Sequence, residues 1–324
     1  MSRNEFDLIA DHFSGIGSRR EDVALGIGDD AALLNPPRGQ HLVATTDTLV
    51  AGIHFPDNAP PESVGHKALA VNLSDLAAMG AEPAWATLSL TLPEVDDHWL
   101  AAFARGFGDL ARYHQVALVG GDLCRGPLSV TVQALGSVPP GKALRRSRAT
   151  VGDAIIVSGT LGDAALGLKL WQQPTVPASE EVAWLVGRLH RPVPRVSLGL
   201  ELRALATACI DLSDGLAADL GHILAGSRVA AVVNVDRLPL SGPGRRFGGG
   251  RSHWRTALTG GDDYELCFTV PRRRLHVVDA VASRVGVRLT RVGTIQPGVG
   301  LSLVHGDNTP VRVSRPGYRH FQDS

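Results

Sequence analysis

Residues 153–171 read DAIIVSGTLGDAALGLKLW, and this stretch decides the fold class. Asp153 to Ser158 is a short apolar run that reads as a strand. Gly159-Thr160-Leu161-Gly162 is a glycine-rich turn, and Asp163 to Trp171 repeats apolar residues at helical spacing. Strand, tight turn and helix in succession are the unit of an α/β protein. The same alternation extends to both sides. Upstream, His41 to Thr46 reads as a strand, Gly65 to Gly80 as a helix and Val116 to Val119 as a strand. Downstream come a helix around Arg195 to Ala208, a strand at Ala208 to Ile210, a helix over Leu216 to Leu224, and strands at Tyr264 to Val270 and Arg288 to Ile295. A turn-rich passage around Pro139-Pro140-Gly141 places a boundary near residue 145 and divides the chain into 1–145 and 146–324. Ser241 to Arg251, crowded with Gly, Pro, Arg and Ser and without periodicity, reads as a mobile surface loop.

Composition narrows the partners. The chain has 324 residues, enough for two domains, and 44% apolar content fills two cores. Lys plus Arg number 32 and Asp plus Glu number 32, so no net field steers it to nucleic acid or an anionic membrane. No apolar run reaches membrane-spanning length and the first residues lack a signal-peptide core, so a cytoplasmic protein is expected. Cys124, Cys209 and Cys267 are far apart with no C-x-x-C spacing, and are read as buried reduced thiols rather than disulfides or zinc ligands.

Chemistry is concentrated in aspartates at the ends of apolar strands, among glycines and hydroxyls: Gly26-Ile27-Gly28-Asp29-Asp30, Thr45-Thr46-Asp47, Gly120-Gly121-Asp122 and Asp211-Leu212-Ser213-Asp214-Gly215. A single aspartate of this kind usually caps a helix or closes a turn. Many of them together, with Asp75 inside an apolar helix where an unpaired charge has no cheap structural use, point to function. Carboxylates so gathered repel one another unless a cation holds them. An oxygen-only set suits magnesium, which shares one or two carboxylates with substrate phosphates at about 2.1 Å. Two pairs of patterns recur at nearly equal spacing, Asn72-Leu73-Ser74-Asp75 with Asp211-Leu212-Ser213-Asp214, and Gly120-Gly121-Asp122 with Gly260-Gly261-Asp262. This raises the reading of a duplicated unit.

Other phosphate motifs are weaker. Gly26 to Ala31 fits G-x-G-x-x-A but puts two carboxylates where a pyrophosphate would lie. Gly136 to Ala143 approaches a Walker loop, yet Pro139 and Pro140 lack amide donors and Ala143 lacks a hydroxyl. Gly159 to Gly162 is a candidate anion site through its amides, or a turn needing glycine for geometry alone. No H-E-x-x-H or G-x-S-x-G occurs, which disfavours zinc and serine hydrolysis. His54, just beyond Asp47, is by itself more often structural than functional.

The blocks Gly26–Ala32 (GIGDDAA), Thr45–Phe55 (TTDTLVAGIHF), Lys67–Pro83 (KALAVNLSDLAAMGAEP), Gly120–Pro127 (GGDLCRGP), Ser158–Leu168 (SGTLGDAALGL), Ile210–Leu220 (IDLSDGLAADL), Gly260–Leu266 (GGDDYEL) and Gly317–Phe321 (GYRHF) carry a resemblance over nearly the whole chain. The sequence resembles the thiamine-monophosphate kinase family, in the superfamily of aminoimidazole ribonucleotide synthetase and selenophosphate synthetase. The resemblance implies an α/β (α+β) two-domain fold, a homodimer pairing its N-terminal sheets, and nucleotide held between the domains. It implies ATP-dependent phosphorylation of thiamine monophosphate. Asp30, Thr45, Thr46, Asp47, Asp75, Asp122, Asp211 and Asp214 would hold several magnesium ions. Gly121, Asp122, Arg146 and Ser213 would contact ATP, with Asp122, Arg146 and Asp214 at the reacting centre. His54, Asp262 and Tyr318 match positions that contact the thiamine ligand. Two departures fall on substrate binding: Asp262 replaces the usual glutamate and is one methylene shorter, and Ala51 stands where an acid is common. The alternatives are another ATPase of the superfamily, resembling aminoimidazole ribonucleotide synthetase, and a non-catalytic nucleotide or thiamine-phosphate sensor.

Overall fold

A four-stranded and a seven-stranded sheet organise the chain, one in each of two units, and the first unit also holds a two-stranded pair. The computed structural model describes residues 4–173, 175, 177–249, 254–313 and 317–318. One unit comprises residues 1–76 and 81–141, the other 77–80 and 142–324. Among the described residues no helix is long and apolar enough to cross a membrane.

The first unit holds α1 (Glu5–His12), β1 (Val23–Leu25), β2 (Leu33–Leu34), β3 (His41–Val50), α2 (Pro61–Ala78, with its last two residues in the second unit), β4 (Glu82–Leu92), α3 (Asp97–Tyr113), β5 (Ala117–Arg125) and β6 (Ser129–Val138). Strands β1 and β2 form an antiparallel pair, and the others form a four-stranded sheet in the order β3-β6-β4-β5. Only β4 and β5 run parallel there. Parallel neighbours need a long crossover, which α3 supplies. Helix α2 is buried over most of its circumference, including Asn72 and Ser74. Glycines bring it close to α3: a Cβ at Gly65 would lie 2.1 Å from the Phe103 carbonyl oxygen, and one at Gly106 would lie 1.8 Å from that of Glu62. Only backbone fits at this crossing. Gly106→Ala is therefore expected to lower stability by about 1–3 kcal/mol through overpacking, read as a fall in the urea midpoint.

The second unit holds β7 (Ala154–Ser158), α4 (Asp163–Trp171), α5 (Glu180–His190), α6 (Val196–Leu202), β8 (Ala208–Asp211), α7 (Leu216–Ser227), β9 (Ala230–Asn234), α8 (Gly242–Phe247), α9 (Trp254–Thr259), β10 (Leu266–Val270), α10 (Val278–Val285), β11 (Leu289–Gln296), β12 (Gly300–Val304) and β13 (Pro310–Val311). Its seven-stranded sheet runs β13-β12-β9-β11-β7-β10-β8. All pairs are antiparallel except β9 with β12. Every residue of β7, β8 and β10 is buried, which explains why they read as continuous apolar runs. Helix α7 covers this sheet with Leu216, Leu220, Ile223 and Leu224.

The structure corrects several expectations from sequence. Ser241 to Arg251 contains α8 rather than a loop: the Ser241 hydroxyl caps it, accepting from the Gly244 amide at 2.8 Å and donating to Asp163 Oδ1 at 2.6 Å. A proline in the first turn suits a helix start. Gly250 and Arg251 lie outside the described residues. The recurring patterns are not one repeated unit. Asn72 to Asp75 lies inside α2, whereas Asp211 to Asp214 leaves a strand end; Gly120 to Asp122 lies in β5, whereas Gly260 to Asp262 lies between α9 and β10. Cys209 and Cys267 are buried, and burial pushes both thiols up, but Cys124 is exposed on β5.

Candidate active site

In the first unit, strand alternation sets the acids. Thr45 and Asp47 are two apart on β3 and share a face, while Thr46 points to the other. The Thr45 hydroxyl donates to Asp75 Oδ2 at 2.5 Å. Burial, and then the Asp75 charge, raise the Asp47 carboxyl to about 6. Thr45, Asp47 and Asp75 thus form one oxygen-rich group. Thr46 does not join it, because its hydroxyl donates to the Val132 carbonyl on β6.

Asp30 and Asp122 both line a pocket of about 850 Å³ in the same unit, together with Asp29, Gly28, Gly121 and Phe6 and Ile9 of α1. Gly121 has φ +154°, and a Cβ there would lie 1.8 Å from the Leu88 carbonyl oxygen, so glycine alone lets β5 press onto β4 where Asp122 begins. Gly26 to Ala32 joins β1 to β2 instead of opening a helix, which removes the dinucleotide-fold reading. His54 turns back on its own loop: Nδ1 accepts from the Val50 amide at 3.0 Å, and its carbonyl accepts from Lys67 Nζ at 3.0 Å.

In the second unit the chain leaves β8 at Asp211, itself buried, and passes through Leu212-Ser213-Asp214-Gly215 into α7. Three segments converge there. The Asp262 amide donates to the Ser213 carbonyl at 2.8 Å, the Tyr264 amide to that of Leu212 at 2.8 Å, and the Tyr318 amide to that of Asp214 at 3.1 Å. Ser213, Asp214, Asp262 and Tyr318 are therefore neighbours. Gly317 is needed for this approach, since its Cβ would meet the Asp214 carbonyl oxygen at 2.5 Å. Arg146 sits in a short 3-10 turn, Arg146–Arg148, whose carbonyl at Arg146 accepts from Ser227 of α7 at 2.9 Å. Its positive charge is felt by Asp219. Arg319, His320 and Phe321 of the last block lie outside the described residues.

Three amides of the Gly159 to Gly162 turn are already taken by protein oxygens, which favours the reading of a turn needing glycine for geometry. The Gly159 amide donates to Arg288 O, the Leu161 amide to Pro239 O, and the Gly162 amide to both oxygens of Asp263 at 3.0 and 2.8 Å.

The arrangement has relatives. Residues 28–138 match the model of AIR synthase related protein, N-terminal domain, and residues 150–306 that of the C-terminal domain. Thiamine-monophosphate kinase of Salmonella typhimurium is 49% identical over 323 residues, covering 99% of each chain. The crystal structure of thiamine-monophosphate kinase from Stenotrophomonas maltophilia is 53% identical with TM-score 0.85, over 88% of this chain and 92% of that one. The chain belongs to the thiamine-monophosphate kinase family. A further member of known structure, AaThiL complexed with AMPPCP and TMP, is 32% identical with TM-score 0.80, over 91% of this chain and 92% of the other.

Within a thiamine-monophosphate kinase the donor set is suited to magnesium. Among the described residues no three His, Cys, Asp or Glu side chains are gathered tightly enough to hold a metal by themselves. The acids come in pairs, Asp47 with Asp75 and Asp214 with Asp219, each pair raising the cost of its own ionisation. A paired carboxylate beside a threonine hydroxyl still fits a cation that takes few protein ligands and completes its shell with water and phosphate.

Sequence reasoning passed over five buried acids, Asp153 among them. Asp219 Oδ2 accepts from the amides of Asp214 and Gly215, both at 3.1 Å, and burial together with Asp214 raises its carboxyl to about 7. Asp163, Asp263 and Glu265 are also buried. The signal for Asp219 was available, as a charge in the apolar run Leu216 to Leu224. Asp219→Ala should lower kcat/KM by about 10–100-fold by releasing the Ser213-Asp214 turn, whereas Asp219→Asn, which keeps an acceptor, should retain most of it. Steady-state kinetics on both variants check this.

Proposed function

We propose that this chain transfers the γ-phosphoryl group of ATP directly, in line, to the terminal phosphate of thiamine monophosphate, giving ADP and thiamine diphosphate. The observation that carries this reading is its kinship, along nearly its whole length, with a protein whose structure holds AMPPCP and TMP together. An ATP analogue and a phosphate acceptor are the two halves of one transfer. Both reactants are anions, and phosphoryl transfer asks little covalent work of side chains, so positioning and charge neutralisation should dominate. That accounts for many aspartates and no evident nucleophile. The acceptor phosphate has a second pKa near about 6, so it is mostly ionised at neutral pH and needs no dedicated base.

Asp30, Thr45, Thr46, Asp47, Asp75, Asp122, Asp211 and Asp214 are the proposed magnesium ligands, Thr46 requiring rotation of its hydroxyl away from Val132. Bound magnesium supplies charge neutralisation on the phosphates of both reactants. Gly121 lets ATP approach the β5 backbone, Ser213 and Asp122 orient it, and the Arg146 guanidinium steadies charge on the transferring group. His54, Asp262 and Tyr318 hold the thiamine ligand, with the Tyr318 ring, half exposed, offering a face to its heterocycle. Residues 1–145 are assigned nucleotide, magnesium and dimer contacts, and residues 146–324 complete the site. A cytoplasmic homodimer is the proposed working form.

Thiamine monophosphate and an aminoimidazole precursor should be offered in parallel, each with ATP and magnesium, and products separated by chromatography. Thiamine diphosphate in the first mixture alone supports the kinase reading. Turnover only in the second assigns the chain to amide-activating chemistry, and binding without turnover assigns it to a sensor.

A further inference from the structure

Segment 260–265 holds two non-glycine residues in left-handed conformations. Asp262 has φ +66° and Tyr264 has φ +49°, both in the left-handed region that a bulky side chain rarely occupies. Such conformations persist only where the surroundings over-determine them. Here alternate residues are the anchors. The Asp263 carboxylate, buried, takes the Gly162 amide on both oxygens. Glu265, fully buried, accepts from Ser158 Oγ at 2.6 Å, Arg195 Nε at 2.6 Å and Arg188 Nη2 at 3.0 Å. Flanking these anchors, 262 and 264 both lie in the left-handed region, and the Tyr264 hydroxyl donates to Asp262 Oδ1 at 3.2 Å. The same two residues are tied through their amides to Ser213 and Leu212, beside Asp214 and Tyr318.

We propose that Tyr264 is a positioning residue for the phosphate acceptor, acting through the Asp262 carboxylate, which its hydroxyl orients towards the ligand. The inference rests on the reading above in which Asp262 contacts the thiamine ligand. It gives the side chain at 262 a fixed direction, which matters for an aspartate because its shorter reach leaves fewer alternative ways of meeting the ligand. Tyr264 is nearly buried, so replacing it by phenylalanine removes the hydroxyl and leaves the ring packing in place.

The test is a double-mutant cycle on the full chain, using Tyr264→Phe, Asp262→Ala and the pair, with KM for thiamine monophosphate, KM for ATP and the melting temperature measured for each. Loss of one hydrogen bond to a charged acceptor should raise the KM for thiamine monophosphate about tenfold in Tyr264→Phe. The KM for ATP and the melting temperature should stay unchanged. In the Asp262→Ala background the same substitution should have no further effect, because the hydroxyl has lost what it orients. An unaltered KM for thiamine monophosphate in Tyr264→Phe, effects of the two substitutions that multiply, or a parallel rise in both KM values with a lower melting temperature would each overturn the proposal. Absence of thiamine diphosphate formation by the unsubstituted protein would instead overturn the functional reading beneath it.

Discussion

Asp122→Asn is expected to cut magnesium-dependent formation of thiamine diphosphate by about 10²–10³-fold, the scale on which removal of one preorganised electrostatic group acts. Asp122 lines the same pocket as Asp29 and Asp30, on a strand that glycine at 121 lets lie against β4. The side chain is exposed and its burial is not needed for packing. Asparagine keeps its size and removes its charge. The loss should therefore appear in kcat and in the magnesium dependence, while the melting temperature moves little. Turnover titrated against magnesium for both proteins reads this directly, and a variant that matches the unsubstituted protein at every magnesium concentration would remove Asp122 from the site.

Glu265→Ala has the opposite signature, a large loss of stability of about 3–5 kcal/mol. The carboxylate is wholly buried and bridges two arginines, Arg188 and Arg195, whose side chains are themselves largely buried. Removing one member of such a group leaves the others charged and unpaired in a poor solvent for charge, which costs more than the group itself contributes. It also frees the Ser158 hydroxyl, which bonds Glu265 and accepts from the Leu266 amide. Glu265→Gln keeps the shape and part of the bonding and should fall between the two. Urea unfolding of the three proteins gives the comparison, and an alanine variant within about 1 kcal/mol of the unsubstituted protein would show that the arginines find other partners.

Periodicity was enough for β7, α4, β8, α7, β10 and β11, because β7, β8 and β10 are buried along their whole length and announce themselves as apolar runs, but it passed over β9, α9 and β12, which also supply the second core. Helix α4 spans Asp163–Trp171, the same residues that the turn and its following repeat select. Composition misled at Ser241 to Phe247, where one capping hydroxyl anchored to buried Asp163 outweighs the low helix propensity of glycine and proline. Motif matching misled at Asn72 to Asp75, since four letters can sit in a helix or at a strand end with equal ease. For the candidate site, the expectation of aspartates at strand ends holds for Asp211, whereas Asp47 lies within β3 and Asp122 within β5, because apolar alternation alone does not mark where a paired strand stops. What sequence could not reveal was the support beneath them. Asp263 and Glu265 act on a backbone amide and on arginines distant along the chain, and only the fold brings Gly162 to Asp263 or Arg195 to Glu265. The division of labour within Thr45-Thr46-Asp47 was likewise hidden until β3 was paired with β6, which turns the middle hydroxyl to Val132.

The central claim is that one phosphoryl group passes from ATP to thiamine monophosphate on this chain. Phosphorus NMR of the reaction, with oxygen-18 in the γ-phosphoryl group of ATP and magnesium present, follows that group itself. The account predicts that the label appears in the terminal phosphate of thiamine diphosphate, in step with ADP. Label released as inorganic phosphate, with thiamine monophosphate left unchanged, would contradict it.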